Sequence, residues 1–307
     1  MGRAGRLAKM PAAAERRAVI LMVSALTCLI FLDASGKWLG MRGMPVAAIT
    51  WSRYAGHLLL VLVLLLPSHG ASLLVTRSLR RQVARGLLMA CVTVLYFAGV
   101  RVMPLAQATA VFFVTPILVT LFATMFLRER PGWRTWVAVA TGFVGVLVVV
   151  RPGTGLPVVG VLLVLGAAAA NAAYQTLTRA QAQADSPEVQ VLYSGLVGAA
   201  LMSVLAPLWW ESGWWRSAAF DGFDWTVFAL LGVFGAVGHL LLARAFQLAQ
   251  ASRLTPWSYT QMLLSIGLGW IAFGDLPDAI ALVGMAIIAV SPQIARLGTA
   301  PARSRRA

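Results

Sequence analysis

Residues 96–152 read YFAGVRVMPLAQATAVFFVTPILVTLFATMFLRERPGWRTWVAVATGFVGVLVVVRP and contain the features that decide the fold. Two long apolar runs, 106–127 and 135–150, are separated by a charged turn, Arg128-Glu129-Arg130-Pro131-Gly132. The apolar residues are continuous and do not alternate with polar ones, which favours helices over strands. Only helices and closed barrels can cross lipid, because every backbone N–H and C=O must be satisfied internally. The stretch therefore predicts membrane-spanning α-helices.

The composition of the whole chain supports the same class. Of its 307 residues, 60% are hydrophobic and 11% are charged, whereas a soluble protein has about 25% charged residues. This hydrophobicity excludes a disordered chain, and two cysteines exclude a disulfide scaffold. At about 20 residues a span, the length accommodates about ten spans. We place them at 18–41, 46–66, 84–103, 106–127, 135–150, 158–178, 188–208, 225–243, 256–274 and 279–295.

The basic residues predict the orientation. In this arrangement most of the 25 Lys and Arg residues fall on the side that bears both termini, and such loops are cytoplasmic. Residues 1–17 and 296–307 are then basic cytoplasmic tails, whereas Asp221, Asp224 and Asp275 lie outside. The net charge of +15 is therefore explained by the orientation of the chain in the membrane. We expect membrane lipid and no nucleic acid as a partner.

A short internal repeat divides the chain. Leu105-Ala106-Gln107-Ala108-Thr109 recurs as Leu248-Ala249-Gln250-Ala251-Ser252, and a proline follows each copy, Pro116 and Pro256. The copies predict two halves, 18–152 and 153–295, with five spans each. An odd number of spans places the second half upside down relative to the first, and inverted repeats are typical of secondary transporters with a site near the midplane.

Residues 96–152 resemble the EamA domain of the drug/metabolite transporter superfamily. The shared features are the turn at Pro104–Thr109, Pro116 in the next helix, Glu129 after it, and a helix that ends at Arg151-Pro152; the second half matches more loosely, with Asp275 and Pro292. The resemblance implies an all-α polytopic membrane protein with ten transmembrane helices in two inverted five-helix EamA repeats. It also implies a central cavity and transport of small organic metabolites across a bacterial inner membrane.

Charged residues inside spans are costly and therefore informative. Asp33 and Arg53 both lie about 10–12 Å below the predicted outer boundary, at 1.5 Å a residue. One hypothesis is a structural ion pair between the first two helices. The other is a charged cavity wall, in which Asp33 holds a substrate amine or accepts a coupling proton. Lys37 is close enough to the interface for its ammonium to reach the headgroups.

Histidine and aromatic residues complete the candidate site. His57 and His239 are candidates for a proton relay, because histidine ordinarily titrates near neutral pH; the alternative is that they are packing residues. Neither has metal-ligand spacing, so we predict no metal and no cofactor. A small-molecule site combines apolar walls with a few polar groups, and the aromatic and polar residues of several predicted spans have this composition. The alternative is that their polar groups form hydrogen bonds between helices. The remaining cavity candidates are Tyr96, Thr109, Phe112, Thr115, Asn171, Tyr174, Gln175, Trp257, Tyr259 and Gln261.

Function classes can be compared on motifs. No HExxH, GxSxG or Walker sequence is present, so the sequence predicts a transporter that does not use ATP and is not an enzyme. An intramembrane enzyme and a non-transporting receptor or assembly subunit are the alternatives, and proton coupling and a homodimer stay open. The expected substrate is an amphipathic or zwitterionic metabolite: a vitamin such as riboflavin, an amino acid or a compound like S-adenosylmethionine.

Overall fold

The computed structural model describes residues 12–126, 128, 131–151, 155–180, 185–210, 213–216, 218–249, 254 and 257–296. Over these residues the chain is all-helical. The helices are α1 (Ala12–Met41), α2 (Val46–His69), α3 (Leu79–Val102), α4 (Leu105–Phe112), α5 (Thr115–Phe126), α6 (Trp133–Val150), α7 (Val158–Ala180), α8 (Pro187–Val204), α9 (Ala206–Trp210), α10 (Gly222–Leu248), α11 (Thr260–Phe273) and α12 (Ala279–Arg296).

The chain is a polytopic membrane protein, as predicted. Within the described ranges, seven helical segments are long and apolar enough to cross a membrane, and three shorter apolar helices, in α8, α11 and α12, accompany them. Helix α1 begins at Ala12, so it includes residues 12–17 of the predicted basic tail. Residues 1–11 and 297–307, which make up the rest of the two tails, lie outside the described residues.

The predicted fourth span, 106–127, is divided into two helices. Helix α4 ends at Phe112 and α5 begins at Thr115. Pro116 occupies the first turn of α5, where its missing N–H costs no hydrogen bond. The Thr115 hydroxyl donates to the Phe112 carbonyl at 2.7 Å, so a side chain satisfies a backbone group that the break leaves free. The predicted fourth span is therefore one apolar segment, Leu105–Phe126, with a break between two helices.

The most extensive helix contacts join the chain before residue 152 to the chain after it. Helix α6 packs on α12, α1 on α10, and α3 on α7; α2 packs on α10 and α8. Contacts within either half are smaller, and the pair α1 and α3 is the largest of them. The two parts of the chain are therefore interlocked in one bundle.

Glycines allow the closest crossings. A Cβ on Gly56 would lie 2.9 Å from the Cα of Gly232, so α2 and α10 touch backbone to backbone. On α8, Gly195 and Gly198 leave the space that His57 and Tyr54 of α2 occupy. Small residues at interfaces are how membrane helices approach closely. The polar face of α2 is therefore held between α8 and α10.

Candidate functional site

The centre of the site is the side chain of Asp33, in the second half of α1. Its carboxylate lies beside the Tyr96 hydroxyl of α3. The Tyr96 hydroxyl is also 3.4 Å from the Thr109 Oγ1 of α4, and the Tyr96 ring meets the Phe112 ring edge to face, with centroids 5.0 Å apart. Three helices thus bring together four of the predicted residues: Asp33, Tyr96, Thr109 and Phe112. We call them the Asp33 group.

The Asp33 group combines a carboxylate, which accepts hydrogen bonds, with the aromatic rings of Tyr96 and Phe112. Thr109 donates its hydroxyl proton to the Leu105 carbonyl at 2.9 Å, so its lone pairs face Tyr96. Tyr96 has a single proton to donate, and it can go to Thr109 or to the carboxylate. At least one carboxylate oxygen of Asp33 is therefore available to an N–H or O–H of a ligand.

Arg53 belongs to a second, adjacent group. Its Nη1 donates to the Thr93 hydroxyl, its Nη2 lies 3.4 Å from the His239 Nε2, and its guanidinium covers the Tyr54 ring at 5.0 Å. The Tyr54 hydroxyl is 2.8 Å from the Thr93 hydroxyl. Together with His57 these residues form what we call the Arg53 group, which joins α2, α3 and α10.

The direct Asp33–Arg53 ion pair is not formed, so that hypothesis was wrong. Arg53 lies within electrostatic reach of Asp33, but its guanidinium turns toward α3 and α10. The Arg53 side chain packs along Gly235 of α10, where a Cβ would lie 3.7 Å from both its Cγ and its Nε. The guanidinium therefore contributes charge to the site without neutralising Asp33 by contact.

The two membrane histidines face each other. The His57 and His239 rings are 6.2 Å apart, edge to face, and the His57 Nε2 lies 3.2 Å from the Val191 carbonyl oxygen of α8. His57 is buried against Gly195, which fits the packing alternative. The described residues contain no cluster of three His, Cys, Asp or Glu side chains that could hold a metal ion.

Lys37 does not extend its ammonium to the interface as expected. The residue is 4% exposed, and its Nζ donates at 2.9 Å both to the Met103 carbonyl and to the Asp275 carboxylate. The Phe273 ring lies 4.9 Å from the same ammonium. The sequence argument failed here because it measured the distance to the interface and had no means of placing Asp275 beside α1.

The predicted polar residues of α7 do not lie together in one site. Tyr174 accepts a hydrogen bond from the Arg85 Nη2 at 3.1 Å, far along α3 from Tyr96, whereas Asn171 is half-buried and Gln175 is exposed. Arg85 is 2% exposed and was missed as an intramembrane cation, because the topology count assigned it to a cytoplasmic loop. The sequence did contain a signal for the position of Arg85. Intervals of three or eight residues separate successive members of one polar series, which places them along one face of α3: Gln82, Arg85, Thr93 and Tyr96.

The candidates around α4 and α11 are more dispersed. Tyr259 stacks on Phe113 with ring centroids 5.3 Å apart, so it meets α4 beyond the Asp33 group. Trp257 is 44% exposed and Gln261 is half-buried, and Thr115 stabilises the break between α4 and α5. Gln107 of the repeated motif was not selected, yet it is buried and its Oε1 has no hydrogen-bond partner among the described residues. Its amide is a further candidate for ligand binding.

Comparison with known proteins agrees with this architecture. The sequence profile described as "EamA-like transporter family" matches the chain twice, at residues 16–151 and 158–292. The chain belongs to the EamA-like transporter family. A crystal structure with 20% sequence identity superposes on this EamA-like transporter with a TM-score of 0.65, covering 91% of this chain and 97% of its own. At that identity the superposition establishes the fold alone.

Relatives of this EamA-like transporter carry different cargoes. A riboflavin transporter of Brucella anthropi is 28% identical over 270 residues, which cover 87% of this chain and 94% of that protein. An S-adenosylmethionine uptake transporter of Rickettsia felis is 25% identical, covering 83% and 84%. A pseudopaline exporter of Pseudomonas aeruginosa is 27% identical, covering 81% and 85%. Uptake and export both occur among proteins of similar distance.

Proposed function

We propose that this transporter moves a small organic metabolite across the membrane by alternating access to the Asp33 group, without ATP. Membership of the family and the names of its relatives make it a small-metabolite membrane transporter. The observation that carries the mechanism is the position of Asp33. It is a carboxylate within a membrane helix, bordered by aromatic rings and a phenol, and no salt bridge of the described residues satisfies it.

The proposed architecture is ten transmembrane helices in two inverted repeats. Counting α4 with α5 and α8 with α9 as one span each gives ten. Helices α3 and α10 begin at Leu79 and Gly222, which are separated by the same offset as Leu105 and Leu248 of the repeated motif. If α1 corresponds to α7 and α3 to α10, then the contact of α1 with α10 is the counterpart of the contact of α7 with α3. This pairing and the two family matches support repeats that divide near residues 152–153.

The chemistry of the Asp33 group favours a substrate with N–H or O–H donors and an apolar or aromatic part. Asp33 accepts from the donors, and the rings of Tyr96 and Phe112 contact the apolar part. The nearby guanidinium of Arg53 favours an electron-rich or anionic group at another point of the same molecule. A zwitterionic metabolite or a vitamin such as riboflavin meets both demands, as do the cargoes named for the relatives.

The proposed cellular setting follows from the charge distribution. The basic tails support a cytoplasmic location of both termini, and relatives from bacteria support the inner membrane. The relatives are named as transporters, which favours a non-enzymatic role over an intramembrane enzyme or a receptor. Proton coupling through Asp33 and association into a homodimer are open extensions of the proposal.

Uptake and efflux of radiolabelled riboflavin, S-adenosylmethionine and amino acids, in proteoliposomes containing the purified chain, test the proposal. We expect transport of an organic compound that Asp33→Asn abolishes and Asp33→Glu retains in part, because only the second variant keeps the anion. Reconstitution of each variant is measured on the same vesicles. A response confined to inorganic ions would contradict the metabolite proposal, and full transport by Asp33→Asn would remove Asp33 from it.

A further inference from the structure

All salt bridges found among the described residues share two properties. Each joins a basic residue from the first half of the chain to an acidic residue from the second half: Lys37 to Asp275, Arg42 to Asp221 and Asp224, and Arg151 to Asp278. Each also lies at the end of the bundle that contains the connection between α1 and α2. In the proposed orientation this is the outer end, and the opposite end is the inner one.

Arg42 makes the most elaborate of these connections. Its Nε and Nη2 lie 3.2 and 3.0 Å from one carboxylate oxygen of Asp224, and its Nη2 also donates to the Ala219 carbonyl. The other Asp224 oxygen accepts from the Trp38 Nε1 at 2.8 Å. The Asp224 side chain is 1% exposed, and Asp221 caps α10 beside it. One side chain thus fastens the α1–α2 connection to the start of α10.

Asp185 makes the corresponding connection at the inner end. Its carboxylate accepts from the Thr76 hydroxyl at 2.7 Å, from the backbone N–H of Arg77 at 2.9 Å and from the Gln82 Nε2 at 2.7 Å. Gln82 in turn accepts from Arg85 at 2.7 Å. Burial raises the pKa of Asp185, but these hydrogen bonds and the charge of Arg77 outweigh it, and the net pKa is lowered. Asp185, just before α8, is therefore fastened to the start of α3 and to the residues that precede it.

The two connections correspond in sequence position. Asp185 follows Arg42 at the same offset that separates the two copies of the repeated motif. The helices that they contact, α10 and α3, also begin at positions separated by that offset. Residues at corresponding positions therefore contact the beginnings of corresponding helices, with a guanidinium at one end of the bundle and a carboxylate at the other.

We propose that Arg42 and Asp185 are the paired gate residues of the transport cycle. The Arg42 bonds to α10, together with the Lys37 and Arg151 pairs, hold the outer end closed, and the Asp185 bonds to α3 hold the inner end closed. This inference rests on the proposed alternating access. Loss of the Arg42 bonds populates a form open to the outside, and loss of the Asp185 bonds populates a form open to the cytoplasm. The assignment is specific, because the two changes have opposite effects.

A cysteine at the depth of Asp33 reports which end is open. Cys28 and Cys91 are replaced by Ala, and Ala108, which is fully buried, is replaced by Cys. Lys37 and Met103 are at the same depth, because the Lys37 ammonium bonds to the Met103 carbonyl. Asp33 is one helical turn deeper than Lys37, and Ala108 is about one helical turn deeper than Met103, so Asp33 and Ala108 are at similar depth. Labelling by a membrane-impermeant maleimide is measured on intact cells for the outside and on inside-out vesicles for the cytoplasmic side.

We expect Arg42→Gln to raise labelling from the outside about fivefold, the ratio that the loss of a partly exposed ion pair supports, without raising labelling from the cytoplasmic side. Asp185→Asn should do the reverse. Arg101→Gln and Glu188→Gln, exposed and half-buried residues at the outer and inner ends, are the matched controls and should leave both rates unchanged.

Equal labelling changes at both faces, or changes in thermal stability alone, would overturn the gate assignment. If Arg42→Gln does not reach the membrane, Asp224→Asn removes the charge of the other partner, and therefore the ion pair, and is judged by the same criterion. The labelling assay needs no substrate, so its outcome is separate from the transport assay. Full transport by Asp33→Asn, with the expected one-sided labelling in the gate variants, would contradict the proposed site. Unchanged labelling in Arg42→Gln and Asp185→Asn would contradict the gates.

Discussion

The ammonium of Lys37 lies 2.9 Å from the carboxylate of Asp275 and 2.9 Å from the carbonyl oxygen of Met103. A single buried cation therefore ties α1 to Met103, which directly follows α3, and to the segment after α11. The two partners differ in exposure, since the Lys37 side chain is 5% exposed and the Asp275 side chain 30%. Removal of either partner should consequently have unequal effects.

Asp275→Asn should destabilise the protein more than Lys37→Met. The first change leaves a buried ammonium without its anion, which costs about 3–5 kcal/mol, whereas the second leaves a carboxylate that water reaches. Thermal unfolding in detergent gives the order of the melting temperatures. The double variant should melt above Asp275→Asn, because it contains no uncompensated buried charge. A lower melting temperature for Lys37→Met than for Asp275→Asn would contradict the assigned burial.

Gly56→Ala should strongly reduce stability or insertion, because the new Cβ would lie 2.9 Å from the Cα of Gly232, where only backbone could give way. Gly267→Ala, within α11, is the matched control, since a Cβ there meets nothing within 4 Å. The control should be neutral or gain up to about 1 kcal/mol from helix propensity. Membrane yield and thermal unfolding measure both. Equal behaviour of the two variants would show that the crossing of α2 and α10 can expand.

Tyr96→Phe should weaken substrate binding and leave the fold intact. The variant keeps the ring contact with Phe112 and loses only the hydroxyl beside Asp33, so the apparent KM of transport should rise about fivefold for about 1 kcal/mol. Tyr54→Phe removes hydrogen bonds to Thr93 and Met89 in the Arg53 group. This control should lower the melting temperature and leave the KM unchanged. A rise in KM for Tyr54→Phe alone would move the site to the Arg53 group.

The contribution of Asp185 to stability should be lost only in acid. The pKa of Asp185 is below its ordinary value of 3.8, so the fold favours the ionised form. The stabilisation is therefore fully present above about pH 4 and disappears as the pH falls through the lowered pKa. The melting temperatures of the parent and of Asp185→Asn should differ by a constant amount from pH 7.5 to about 4.5 and converge below 3.8. Convergence already near pH 6 would contradict the assigned hydrogen bonds.

The sequence predicted the membrane class and the helices, because continuous apolar runs are a local property of the chain. It named the members of the Asp33 group only as separate cavity candidates. Asp33, Tyr96 and Thr109 were selected by residue type and span, and the packing of α1, α3 and α4 brings them together. The offset between the two copies of the repeated motif is likewise a property of the sequence, and the starts of α3 and α10 are separated by the same offset.

The predictions that failed concern which side chains contact each other. Arg53 was assigned to Asp33 on equal depth, but its guanidinium turns toward Thr93 and His239, and no one-dimensional pattern contains that direction. Lys37 and Asp275 are 238 residues apart, and Arg85 finds its acceptors on α7. Depth in the membrane can be estimated from sequence, whereas rotation of a helix about its axis depends on neighbours that are distant in the chain.

The opposite signs of Arg42 and Asp185 have a consequence for how such a protein can arise by duplication. In the proposed orientation the inner surface carries most of the basic residues and the outer surface carries Asp221, Asp224, Asp275 and Asp278. When one repeat is inverted relative to the other, residues at corresponding positions lie at opposite membrane surfaces, where the neighbouring charges have opposite signs. A residue that binds favourably at the outer surface would be repelled at the inner one. The rule that orients the chain in the membrane therefore also requires that a structurally symmetric pair of closures be chemically asymmetric.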